Sequence, residues 1–305
     1  MKVDPPVWLR ISDPVRSALA LGKPVIALES TVITHGLHRP ANLELARRVE
    51  VEVLSHGCQP ATVAVIDGQI SLGLASEELE RLAMASEVEK VSRRDLATVM
   101  VKGALGGTTV AATMFVAHSG GVQLMATGGI GGVHRGAAGD VSADLPELAQ
   151  TPVAVVCAGA KSILDLPRTL EWLETAGVPV IGWGTDEFPA FFSRTSGLPT
   201  SASVSSAEAA AMLLQSHWRI SPKCGALVCV PCPENAAVPP DIIEAALDQA
   251  QVEAEKAGIT GNAITPFILG RLVELTDGAT LRANLALLRN NALRGAELAV
   301  ELVRL

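Results

Sequence analysis

The chain has 305 residues, 49% hydrophobic and 18% charged, with 24 basic against 32 acidic side chains and a net charge of −8. That balance can bury a sizeable core and argues against disorder. The negative surface disfavours a nucleic-acid polymer as partner, while a local basic pocket can still hold one small phosphate.

Aromatics make up 3% of the chain and Tyr is absent, so the core is built of Ala, Val, Leu and Ile. Those residues divide between helix and strand formers, which points to an α/β fold. At the N-terminus Asp4, Pro5 and Pro6 precede a polar, charged stretch where the apolar core of a secretory signal would have to lie. The longest apolar run, Gly103 to Ala117, is too short to span a bilayer and is interrupted by Thr108, Thr109 and Thr113. A cytoplasmic protein with no membrane partner is expected.

In chain order, the strand candidates are Val25–Leu28, Thr62–Ile66, Val122–Ala126, Val153–Cys157, Val178–Ile181 and Ala226–Val230. Helical patterns alternate with them at Leu43–Ser55, Glu77–Ala85, Thr109–His118, Pro167–Thr175, Ala207–Ser216 and Ile242–Ala257. Strands separated by helices of this length imply parallel crossovers and a layered α/β/α sandwich. Gly57 stands where a left-handed helix C-cap is expected, and Ser76 before Glu77 and Glu78 reads as an N-cap. Asp67-Gly68 between two apolar runs reads as a hairpin turn, which makes the mostly parallel sheet a mixed one. From Thr280 to Leu305 runs one amphipathic helix whose Leu281, Leu285, Leu288 and Ala292 stripe would cover a sheet face or a subunit interface. Residues 1–305 are expected to form a single domain.

Ligands of parallel α/β sheets bind beyond the carboxyl ends of the strands, and four polar clusters fall there. Glu29-Ser30-Thr31 follows the first strand; a partly desolvated Glu29 can keep its proton near neutrality and act as a general acid. On sequence alone an exposed cap is the stronger reading. The glycine-dense run from Thr127 to Gly136 contains His134 and Arg135, and suits an anion or sugar loop. It matches neither a dinucleotide fingerprint nor a Walker loop, since His134 stands where a third Gly is needed. Asp140-Val-Ser-Ala-Asp144 suits a hard divalent cation completed by water, or a plain helix cap. Cys157-Ala-Gly-Ala-Lys161-Ser162 follows the most apolar strand; a desolvated Lys161 would be a nucleophile able to form a Schiff base. Taken alone, a surface lysine in a loop is the favoured reading. Lys90, with Arg93 and Arg94 beside it, suits phosphate binding.

Cys224, Cys229 and Cys232 have an iron–sulfur-like spacing, yet no Cys follows Cys232 and the set flanks a buried strand, so core packing is the better reading. The residues alone lead to an α/β enzyme acting on a small phosphorylated or carbonyl substrate. A Schiff-base lyase or aldolase fits as well as a glycosidase.

Longer motifs narrow this. Ala27–Gly36, Pro60–Gly68, Lys90–Asp95, Thr108–Thr113, Thr127–Gly136, Asp140–Leu145, Cys157–Asp165, Asp186–Phe192, Thr265–Phe267 and Asn284 occur in an order that resembles the pseudouridine-5'-phosphate glycosidases from about Ile11 onward. The resemblance implies an indigoidine synthase A-like α/β/α sandwich, assembled as a homotrimer, with a divalent metal, usually manganese. It implies cleavage of the C–C glycosidic bond of pseudouridine 5'-phosphate to uracil and ribose 5-phosphate. Lys161 would form an imine with C1′ of the opened ribose, Glu29 would donate the proton and Asp140 would hold the metal. Lys90, Val110 and Ser142, Ala143 and Asp144 would bind substrate, with His134 and Asn284 nearby. The chemistry agrees: a carbon leaving group needs an electron sink, which an imine on Lys161 supplies, where ordinary glycosidases rely on two carboxylates. One departure is Val230-Pro-Cys-Pro-Glu234, which lacks the family's usual Asn. A sugar-phosphate aldolase, a glycosidase of another C-nucleotide and a non-catalytic nucleotide-binding protein are the alternatives.

Overall fold

The computed structural model describes residues 5–136, 139–259 and 264–305; the side chains of Thr265 and Pro266 lie outside it. Among the described residues the chain runs through β1 (Leu9–Ile11), α1 (Asp13–Ala20), β2 (Val25–Leu28), one π-helical turn (Val32–Gly36), α2 (Ala41–Ser55), β3 (Gln59–Ile66), β4 (Gln69–Leu72) and α3 (Ser76–Met84). It continues through β5 (Glu89–Val91), α4 (Leu96–Lys102), β6 (Gly106–Thr108), α5 (Val110–Ser119), β7 (Leu124–Ala126), β8 (Val133–His134) and α6 (Asp144–Gln150). After these come β9 (Ala154–Cys157), β10 (Leu164–Asp165), α7 (Leu166–Thr175), β11 (Val180–Trp183), β12 (Ala202–Val204) and α8 (Ala207–Ile220). The last elements are β13 (Ala226–Cys229), α9 (Pro240–Lys256), α10 (Ile264–Leu275) and α11 (Ala279–Arg304).

The parallel body of the sheet has the order β3-β2-β7-β9-β13-β11-β12. On its other flank β4 folds back antiparallel on β3, with β1 parallel beyond it, and β6 pairs antiparallel with β3 while carrying β5. The expected mixed, mostly parallel sheet is therefore present. The hairpin turn is as expected too: Asp67 and Gly68 have φ of 51° and 76°, the positive pair that a tight two-residue turn requires.

Each central strand is buried on both faces, and alternate residues feed two cores. Ile26, Leu28, Leu124, Ala126, Ala154 and Val156 pack under α2, α8 and α11. Val25, Ala27, Met125, Val155 and Cys157 face the opposite way into the core that includes α1, α5 and α6. Because neither face is wet, the strands read as continuous apolar runs, which is why their positions were legible.

Several boundaries differ from expectation. α3 begins at Ser76, so Ser76 is inside the helix and not its cap; the Ala75 N–H is instead held by the Glu78 carboxylate at 2.9 Å. Gly57, φ 76°, follows α2 as expected. On α11, Leu288 and Ala292 are buried, whereas the stripe is rotated from Leu281 and Leu285 toward Ala283, Leu287, Asn291 and Gly295. Close approach sets this rotation: a Cβ on Gly295 would lie 2.3 Å from Ile26 Cδ1 on the sheet. The cysteines Cys224, Cys229 and Cys232 are buried free thiols, and burial raises the pKa of each.

At Gly159 a glycine is sterically obligatory. Gly159 has φ 83°, and a Cβ there would sit 2.1 Å from the Pro189 carbonyl oxygen, a backbone atom that cannot swing away. Left-handed strain and overpacking together predict that Gly159→Ala destabilises the fold by about 3 kcal/mol. Urea denaturation checks this; an unchanged midpoint would show that the 158–161 segment shifts freely.

Candidate active site

The sheet's connection order reverses between two neighbouring strands. β2 leads on to β3 on one side, and β7 leads on to β9 on the other. The carboxyl ends of β2 and β7 thus frame the crevice in which an open α/β sheet binds its ligand. Glu29 follows β2 directly, Thr127 follows β7 directly, and Lys161 lies a few residues beyond β9.

Backbone pairing continues past the strand ends and fixes these residues in register. Thr127 N donates to Val156 O (3.0 Å), Ala158 N to Gly128 O (2.8 Å), Ile130 N to Gly159 O (3.0 Å) and Lys161 N to Ile130 O (3.1 Å). The glycine run is therefore largely zipped to the lysine segment, and Gly128, Gly129, Gly131 and His134 of the run expected to serve as an anion or sugar loop line the cavities described below. Its glycines serve close packing: Cβ atoms at Gly129 and Gly131 would strike the Phe191 ring at 2.6 Å and Ser142 Oγ at 2.2 Å. Arg135, a candidate donor in the sequence, has other partners. Its guanidinium binds both Glu244 oxygens at 2.9 Å and donates to the Ser162 and Leu164 carbonyls, bracing the segment behind Lys161.

Glu29 is 6% exposed and accepts a short hydrogen bond from the Thr127 hydroxyl. Burial raises its pKa above the ordinary 4.5, against the opposing pull of Lys161, the Thr127 hydroxyl and Lys90. Lys90, on β5, is lowered by burial and by the charge of Lys161. A carboxyl that resists ionisation next to two amines is the pairing that proton-transfer chemistry needs. Thr127 and its hydroxyl carried no sequence signal of this role beyond opening the glycine run.

Two cavities meet at this cluster, and Glu29, Thr31, Lys90 and Lys161 stand in the walls of both. The inner one, about 290 Å³, is walled by Phe191, Leu269 and Leu288, with Thr127, Asn284 and His35 among its polar groups. The outer one, about 350 Å³, is polar and brings in Arg94, Val110, His134 and Asp140 with the Ser142–Asp144 segment. All the residues that the resemblance places at the site thus converge, although they come from widely separated elements. Phe191 holds φ 62°, unusual for a bulky residue, and this places its ring over Gly129. His35 is held below the ordinary histidine pKa by burial and by Lys90.

Two expected ligands have other partners. The Asp144 carboxylate accepts from Ala111 N at 3.0 Å and Gly131 N at 2.7 Å, joining the start of α5 to the glycine run. Arg93, expected beside Lys90 at a phosphate, instead donates to both Glu147 oxygens at 2.9 Å and lies over the Phe115 ring. Arg94 is the arginine that faces the outer cavity. Among the described residues no group of three or more His, Cys, Asp and Glu side chains forms a metal cage. Asp140 stands 71% exposed with His134 Nε2 at 3.9 Å. That donor set fits a hydrated hard cation held by one carboxylate, with water and ligand oxygens completing the shell.

Comparison with known proteins places this geometry. The family described as indigoidine synthase A like protein matches residues 14–301. A pseudouridine-5'-phosphate glycosidase of Caldanaerobacter subterraneus subsp. tengcongensis is 50% identical over 98% of both chains. One of Solibacter usitatus is 53% identical over 96% of this chain and 99% of its own. Among solved structures, the prealnumycin C-glycosynthase in complex with ribulose 5-phosphate superposes with a TM-score of 0.91 at 37% identity, covering 98% of both chains. An indigoidine synthase A-like protein of Thermotoga maritima gives 0.90 at 37% identity over the full length of both.

The buried carboxyl carries a stability signature. Its folded-state pKa lies above the unfolded value, so folding favours the protonated form, and the parent loses stability as pH rises from about 4.5 to the folded pKa. Glu29→Gln, a mimic of that form, should match the parent's melting temperature at pH 4 and exceed it at pH 8. A gap that is constant with pH would mean that Glu29 ionises normally.

Proposed function

The chain belongs to the indigoidine synthase A-like family, and from that premise we propose that it is a pseudouridine-5'-phosphate glycosidase. The observation that carries this reading is the placement of a buried Glu29, its pKa raised by desolvation, and Lys161 on the shared wall of a polar and an apolar cavity. The outer cavity suits the ribose phosphate: Lys90 and Arg94 supply positive charge, and Ser142 offers a hydroxyl. The inner cavity suits uracil, a planar neutral base, with Asn284 as amide partner and Phe191 and Leu288 as apolar walls. The bond between C1′ and the base then lies at the boundary, beside Glu29 and Lys161.

The steps balance. Lys161 Nζ bonds to C1′ as the C1′–O4′ bond opens, and O4′ takes up the proton that the amine releases. When the C1′–C5 bond breaks, its electron pair goes to C5 of uracil, which takes the Glu29 proton. The nitrogen lone pair closes the C1′=N iminium. Water hydrolyses that iminium to ribose 5-phosphate and the free amine, and a proton returns to Glu29. Each step is reversible. Asp140 would hold a divalent cation, of which manganese is the proposed one, and the cation would offset phosphate or hydroxyl charge in the outer cavity.

The experiment is uracil release from pseudouridine 5'-phosphate with added manganese. The parent should release uracil and Lys161→Ala none, and borohydride should trap ribose 5-phosphate on the parent but not on Lys161→Ala. Glu29→Gln should still be trapped, yet turn over about 100- to 10,000-fold more slowly. A folded, manganese-loaded parent that releases no uracil would reject the reading. The similarity to a C-glycosynthase makes larger C-linked aglycones the next substrates to test.

The metal assignment has its own readout. Titration calorimetry with manganese should show binding to the parent that Asp140→Ala loses. Equal affinity in the two proteins would remove Asp140 from the role.

A further inference from the structure

Helix α11 presents one face to the site, with Asn284, Leu288 and Asn291 spaced so that they align along it. Asn284 and Leu288 reach the inner cavity. Asn291 is 0% exposed and lies between the buried Leu287, Leu288 and Ala292. Its Nδ2 donates to Thr127 O at 2.9 Å and to Gly128 O at 3.2 Å, while its Oδ1 has no donor. Two carbonyl partners settle which end of the amide faces the loop.

A buried amide with its acceptor unspent is a poor way to fill a core, because the unused oxygen has lost its water. An apolar side chain would pack there without that loss. What the amide contributes is the hold on two consecutive carbonyls at the point where the chain leaves β7. Those carbonyls belong to the residue whose hydroxyl donates to Glu29 and to its neighbour.

We infer that Asn291 is a positioning residue for the proton donor: its amide pins the Thr127–Gly128 backbone so that the Thr127 hydroxyl stays on the Glu29 carboxylate. The role rests on the proposed chemistry of Glu29, but the linkage itself is a property of the unliganded protein. Glu29 is faced by Lys161 and Lys90, which favour its ionised form, by Asp144, which disfavours it, and by the Thr127 hydroxyl, which favours it. Among these only the hydroxyl is tethered by Asn291. Release of the tether removes a hydrogen bond to the carboxylate, so Glu29 should hold its proton to higher pH.

The test follows the Glu29 carboxyl by carbon NMR in protein labelled at glutamate, with Glu29→Gln as the assignment control, and pairs it with the pH profile of uracil release. Asn291→Leu keeps much of the side-chain volume and Asn291→Ala removes it. In both, the Glu29 titration and the high-pH fall in activity should move upward together, with kcat lowered about tenfold and KM nearly unchanged. Thr127→Val should produce the same shift, and the Thr127→Val/Asn291→Leu pair no more than either alone. A Glu29 titration at the parent's pH in the Asn291 variants, or shifts that add in the double variant, would overturn the inference. A parent that releases no uracil would reject the glycosidase reading, while the NMR shifts would still decide the role of Asn291.

Discussion

The parallel pairing of β7 with β9, prolonged beyond both strands, is the constraint on which the site depends. Strand pairing normally ends with the strand, and the loops that follow are then free to diverge. Here the 127–130 and 158–161 segments stay hydrogen-bonded to one another, so the backbone bearing Lys161 sits in a set register to the backbone bearing Thr127. Close approach makes this possible. Gly129 admits the Phe191 ring, Gly131 admits Ser142, and Gly159 takes a left-handed conformation against the Pro189 carbonyl. A side chain at any of these positions would collide with the Phe191 ring, the Ser142 side chain or the Pro189 carbonyl.

That rigidity has an electrostatic purpose. Glu29 is nearly inaccessible, and desolvation outweighs the attraction of Lys161 and the hydrogen bond from Thr127, so the carboxyl tends to stay protonated. Lys90 is pushed in the complementary direction by burial and by Lys161. An acid and an amine with opposed tendencies, Glu29 and Lys90, are held within one cluster, and small displacements would change both. The charges next to this cluster are neutralised locally. Asp144 spends its carboxylate on two backbone N–H groups, Arg93 is occupied by Glu147 and Arg135 by Glu244. They brace the elements around the site without competing for a ligand.

Much of this was legible in the residues. Strands such as Ala154–Cys157 and Ala226–Cys229 showed as apolar runs because both faces of the sheet are covered. The Asp67-Gly68 turn showed because its chemistry is local. Glu29 and Lys161 are candidates from the sequence because polar residues after apolar strands mark the ligand-binding edge of a parallel sheet, but alone each reads more readily as a surface residue, and only the longer motifs and their resemblance assign the roles. β1, β5, β6 and β12 escaped notice; each has three residues, too few for a period to emerge. Arg93 and Arg135 were misread because a charged side chain in a motif shows its charge but not its partner.

The sequence by itself determined the fold class, the order of the main strands and helices, and the residue types available for chemistry, since these rest on periodicity and motif within short windows. Only the tertiary structure decided which charges face the cavities, why the glycines are needed and why the Glu29 pKa is raised. Those outcomes arise from contacts between distant segments: Thr127 with Glu29, Asn291 with Thr127, Asp144 with Ala111. Desolvation and hydrogen bonding act through space, so the separation of two residues along the chain carries no record of them.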